Sequence, residues 1–82
     1  MQPTTKRANS FDQVLAQEFK KARHRCAFSI SDLALFAGVA PEVIVAIEAQ
    51  TGSTQDVRDV EKAVTPVGIT SHRLITLRSA ND

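Results

Sequence analysis

Residues 29–48, SISDLALFAGVAPEVIVAIE, constrain the fold more than any other stretch, because a helix cap, a glycine turn and a proline entry follow one another closely. Ser29 and Asp32 have the capping-box spacing, in which the hydroxyl accepts an exposed backbone N–H and the acid reaches back to the cap. Leu33, Ala34 and Ala37 then share one helical face. Gly38 supplies the positive φ that ends a helix in a tight turn, and Val39 is placed to plug the corner. Pro41 suits a first helical turn, where no N–H is needed. Ile44 and Ile47 form an i, i+3 inner face. The pattern predicts two short helices joined by a tight turn, the helix-turn-helix arrangement.

The flanks supply what this pair must pack against. A first helix is expected from about Phe11 to Arg25, with Ser10 as cap and Asp12 in the first turn, where acids favour the helix dipole. Phe11, Val14/Leu15, Phe19 and Ala22 recur at helical spacing and should face inward. Phe28 is a candidate core anchor, and QTGST at 50–54 reads as a turn. A fourth helix should bury Val57, Val60, Ala63 and Val64 and stop at Thr65, because Pro66 disfavours helix at the residue before it. Beyond Gly68, ITSHRLITLR is rich in β-branched residues and predicts an extended strand, with Leu74, Thr76 and Arg78 on one side and Arg73, Ile75 and Leu77 on the other. Such a strand would need a matching strand from a second copy, and a fifth short helix is the alternative. The expected organisation is a flexible arm over 1–9, a helical domain over 10–68 and a C-terminal extension over 69–82.

At 82 residues the chain holds one domain. With four Phe and no Trp or Tyr, its core must be mainly aliphatic. Cys26 is the only cysteine, which excludes an internal disulfide and fits a reducing cytoplasm. It is expected as a small, partly buried residue closing the first helix. With only His24 and His72 beside it, neither a metal site nor any other cofactor is expected. No apolar run reaches the roughly 18 residues of a membrane span, and MQPTTKRANS lacks the apolar segment of a signal peptide. Catalytic equipment is thin: there is no glycine-rich phosphate loop, and Ser71 and His72 are adjacent and so point apart. No enzyme is expected.

Charge is distributed unevenly. Residues 1–28 carry six Lys or Arg against Asp12 and Glu18, whereas residues 29–65 carry only Arg58 and Lys62 against six acids. The cationic end of the first helix, KKARHR, complements the negative pole of its dipole and is also suited to phosphate contact.

Leu15 to Arg23, Leu33-Ala34, Gly38-Val39, Ile44…Ile47-Glu48, the Val57/Val60/Val64 helix and Gly68-Ile69 together resemble the lambda-repressor-like (Cro/Xre) helix-turn-helix family over roughly residues 11–70. That resemblance implies an all-α domain of four to five helices that binds duplex DNA as a homodimer and regulates transcription; a short C-terminal strand is the expectation of the β-branched run after Gly68, with a fifth helix as its alternative. It also implies an ion pair between Arg23 and Glu48. DNA contacts would come from Lys20, Lys21, Arg23, Arg25, Ser31, Ala46, Thr51 and Ser53, with the few base contacts centred on Glu42 and Val43. The chain departs from the family where DNA is read. Ile30 stands where Gln is common, and Ala40, Pro41, Glu42, Val43, Val45 and Ala46 lack the Arg, Lys, Asn or Gln donors that read guanine and adenine. The alternative is therefore an interaction module that holds another regulator, a polymerase subunit or a toxin. It would use Val43, Val45 and Ala46 or the C-terminal Leu74, Ile75 and Leu77; small antitoxins of this family carry a C-terminal dimerising strand.

Overall fold

The computed structural model describes the backbone of residues 10–80 and the side chains of residues 11–77. The arm expected over residues 1–9 lies outside the described residues. Among those described, five α-helices follow in order: α1 Ser10–Arg25, α2 Ile30–Ala37, α3 Pro41–Glu48, α4 Val57–Val64 and α5 Ser71–Ala80. Single 3-10 turns at Gly52–Thr54 and Thr65–Val67 flank α4. None of the helices is long and apolar enough to cross a membrane.

α1 forms because its apolar residues fall on one stripe: Phe11, Leu15, Phe19 and Ala22 are all buried in the common core. The chain leaves α1 through Ala27, which adopts φ 61°, and this turn puts Cys26 on the surface rather than in the partly buried position expected of it. Ser29 Oγ accepts from the Asp32 N–H at 3.0 Å and caps α2. At the other end Gly38 takes φ 77° and donates its N–H to the Ala34 carbonyl at 2.9 Å. Pro41 then opens α3, which packs against α1, α2 and α4. With neighbours on three sides, α3 buries Val43 as well as Ile44 and Ile47. Val43 is 5% exposed, which corrects its expected place in a contact surface: the i, i+4 pairing with Ile47 turns it into the core.

Gly52 is buried because the backbone passes close to two helices; a Cβ there would meet Leu15 Cδ2 at 3.4 Å and Ile47 at 3.5 Å. Asp56 caps α4, accepting from the Arg58 N–H at 2.8 Å. Val60, Ala63 and Val64 are buried as expected, but Val57, in the first turn beside the cap, is half exposed rather than inward. Helix α4 ends at Val64, and the Pro66-containing turn carries Val67 into the core.

The expected C-terminal strand is instead a helix. Thr70 Oγ1 accepts from the Arg73 N–H at 3.0 Å, which starts α5. Leu74 and Leu77, spaced i, i+3, are buried beside Ile69 in the core shared with α1. Burying two leucines against the chain's own helices outweighs the β preference of the threonine and isoleucine residues. Leu74 and Leu77 are therefore not open to a partner, and a dimer built by strand pairing over 69–78 is overturned.

Arg73 in α5 pairs with Glu18 in α1, its Nε donating to Oε1 at 3.1 Å and its second guanidinium nitrogen contacting Oε2. The hydrogen bond from Arg73 holds the Glu18 carboxyl below the usual carboxylate range, against partial desolvation that raises it. A depressed carboxylate stabilises the fold above its unfolded pKa, and that contribution disappears as pH falls through the folded value. Glu18→Gln is expected to be less stable than the parent at neutral pH. The difference should vanish below the ordinary glutamate range in denaturant titrations at stepped pH. At Ala27 the left-handed backbone disfavours any side chain, so Ala27→Gly should raise stability by about 0.5–1 kcal/mol after the entropic cost of glycine. Calorimetry would read this as a rise of about 3–6 °C in the thermal midpoint.

Candidate functional site

Three outer surfaces carry the candidate functional residues. The first is α1. At 100° per residue Gln17, Lys20, Lys21, His24 and Arg25 form one stripe at i, i+3, i+4, i+7 and i+8, and they line a shallow open hollow. Lys20, Lys21 and Arg25 have no ion-pair partner among the described residues. Lys20 and His24 are exposed on the side of α1 away from its buried seam, and the His24 ring nitrogen Nε2 lies 3.3 Å from an Arg23 guanidinium nitrogen.

Arg23 belongs to a different environment. It is 9% exposed, and its Nε donates to Glu48 Oε2 at 2.6 Å while a terminal nitrogen donates to Oε1 at 3.1 Å. The other terminal nitrogen donates to the Phe28 carbonyl at 2.8 Å. The hydrogen bond to Glu48 raises the guanidinium above its ordinary value, against desolvation that lowers it. The pair implied by the family resemblance is thus present. Its presence removes Arg23 from the set of phosphate-binding cations, because its donors are committed inside the protein.

The second surface is the outward face of α3. Pro41, Glu42 and Val45 are exposed and Ala46 is half-buried. None of these side chains donates a hydrogen bond, and Glu42 alone can accept one from a base, for which the cytosine amino group is the match. The neighbouring turn is equally committed. Thr51 Oγ1 donates to the Ala46 carbonyl at 2.9 Å. The Ser53 N–H and hydroxyl both donate to the Asp12 carboxylate, at 2.8 and 2.7 Å. Ser53 was expected to face a phosphate and Asp12 to serve only the helix dipole; instead Asp12 is buried and clamps the turn to α1. Ser31, in the first turn of α2, is exposed and free of these ties.

The third surface was not anticipated. Leu35 and Phe36 on α2 are 85% and 71% exposed. Phe36 rests against Phe28 with ring centroids 5.7 Å apart, so the apolar surface extends onto the linker before α2. The spacing that buries Leu33 and Ala34 already turns positions 35 and 36 outward, so this patch was legible on a helical wheel. Of the C-terminal trio Leu74, Ile75 and Leu77, only Ile75 reaches the surface, where it joins Val57 at the mouth of a small apolar hollow lined by Phe11, Val60 and Leu74.

No family model, no curated protein and no solved structure matches the chain.

The contrast between Arg23 and Arg25 gives a direct test of the α1–α3 tie. Arg23→Ala leaves Glu48 in a largely buried position with no counter-charge, a change that costs about 3 kcal/mol or more. Arg25→Ala removes an exposed charge, worth about 0–1 kcal/mol. Urea denaturation should show a large fall in midpoint for the first and little change for the second.

Proposed function

We propose that the chain is a small helix-turn-helix regulatory domain that binds duplex DNA through the phosphate backbone. The observation that carries this reading is the stripe of Lys20, Lys21, His24 and Arg25 on α1, whose lysines and arginine form no salt bridge among the described residues, Lys21 having only a longer-range attraction to Glu18. The α2–turn–α3 unit and the resemblance of residues 11–70 to the lambda-repressor-like family support it; that warrant is one of fold, since function resides in the site. Affinity would come mainly from displacement of counterions by the α1 cations. The outward face of α3 contributes little base reading, with Glu42 as its sole polar contact.

A second reading, an interaction module that keeps the fold without reading sequence, is favoured by a separate observation. No Lys, Arg or His occurs between Cys26 and Val57, the segment that forms α2 and α3, and that segment exposes Leu35, Phe36 and Val45. A surface of this kind repels a polyanion and suits a protein.

Salt dependence separates the two. With three to four phosphate contacts, the logarithm of DNA affinity should fall with the logarithm of salt at a slope of about −3. The double substitution Lys20→Gln/Lys21→Gln should flatten that slope by about 2 units, while Val45→Ala leaves it unchanged. Fluorescence anisotropy on a labelled duplex gives the measurement. Absence of duplex binding even at low salt would defeat the DNA reading.

A further inference from the structure

We infer that the outer face of α2 is a docking surface for a cationic amphipathic segment of another protein. The inference rests on the second reading above and names the chemistry of its partner. Two large side chains at adjacent positions, Leu35 at 85% and Phe36 at 71% exposure, stand almost wholly in water. Phe36 is held from one side by Phe28, itself half-buried against the core, so the patch has a fixed aromatic wall rather than a lone mobile ring. This is the anchor chemistry of an interface core: large apolar groups on a rigid helix, placed without backbone cost.

Charge selects the occupant. Asp32 is exposed one turn before Phe36, and Glu42 is exposed in the first turn of α3, directly after the Gly38 corner. Neither has an ion-pair partner among the described residues. Between Cys26 and Val57 there is no cation, so the exposed charges of α2 and α3 themselves are acidic alone; the nearest cations belong to the end of α1 and to α4, where Arg58 and Lys62 lie. A second copy presenting the same α2 and α3 face would bring acids towards acids, with no cation on either helix to pair them. Duplex DNA would meet the same repulsion. A helix with leucine or phenylalanine on one face and lysine or arginine beside it satisfies both parts of the surface.

The test uses the full chain and two helical peptides that share one leucine face, flanked by lysines in the first and by glutamates in the second. Amide shifts followed by NMR, with calorimetric titration, should show the lysine peptide perturbing Asp32 to Ala37 and leaving α5 unmoved. Leu35→Ser/Phe36→Ser should weaken that binding at least tenfold while leaving the spectrum folded, with shifts confined to α2 and the neighbourhood of Phe28, since both side chains lie outside the core. Asp32→Asn/Glu42→Gln should weaken it and reduce its salt dependence, whereas Ile75→Ser should not. The inference is overturned if neither peptide shifts α2, if the glutamate peptide binds as tightly, or if binding survives loss of Leu35 and Phe36. Sedimentation showing a dimer that Leu35→Ser/Phe36→Ser disperses would assign the face to a second copy instead. Duplex binding by the same variants, if present, should be unaffected, so failure here is distinct from failure of the DNA reading.

Discussion

The Arg23 guanidinium organises this fold at the place where three segments meet. It belongs to α1, grips both carboxylate oxygens of Glu48 at the end of α3, and donates to the Phe28 carbonyl in the linker before α2. The helix-turn-helix pair is thereby fixed to α1 from both ends: the linker that begins it and the last residue that closes it. A guanidinium suits this position because its planar fork satisfies a carboxylate and a carbonyl at once. Among the described residues, every buried side-chain nitrogen and oxygen has a hydrogen-bond partner. A core of short aliphatic and phenylalanine side chains cannot absorb an unpaired polar atom.

That arrangement bears on function because it withdraws a cation from the surface. The remaining α1 cations lie on a stripe away from the buried seam, while α2 and α3 present acids and apolar groups. The two regions differ in chemical character: cations along α1, acids and apolar groups on α2 and α3. An ordinary DNA-reading surface would combine cations with base-edge donors on the outer side of α3. Here that side offers Pro41, Glu42 and Val45.

Smaller ties show the same economy at the edges. Asp12 fastens the Gly52–Thr54 turn to the start of α1, and Arg73 fastens α5 to its middle. These contacts join residues 41 and 55 positions apart. They also accompany two departures from relaxed backbone, since Ala27 and Gln50 both hold positive φ at the exits of α1 and α3. Tight corners without glycine are strained, and tertiary packing sustains them.

The sequence by itself determined the local pieces. Ser29 and Asp32 mark the cap of α2, Gly38 marks its end, Pro41 opens α3, and the Phe11, Leu15, Phe19 and Ala22 spacing defines the buried side of α1. Each of these signals acts within a turn or two of the chain, where sterics and hydrogen bonding leave few options. The Arg23–Glu48 pair was also legible, through the pattern of a family rather than through spacing. The outward turn of Leu35 and Phe36 was likewise legible in the helical spacing of α2. Only the tertiary structure decided that Val43 would join Ile44 and Ile47 in the core, because α3 packs against α1, α2 and α4. The C-terminal segment was decided in the same way: its β-branched residues favour extension, but Leu74 and Leu77 find a place beside α1 only as a helix. Burial depends on what the rest of the chain brings alongside, and that information is not local to any residue.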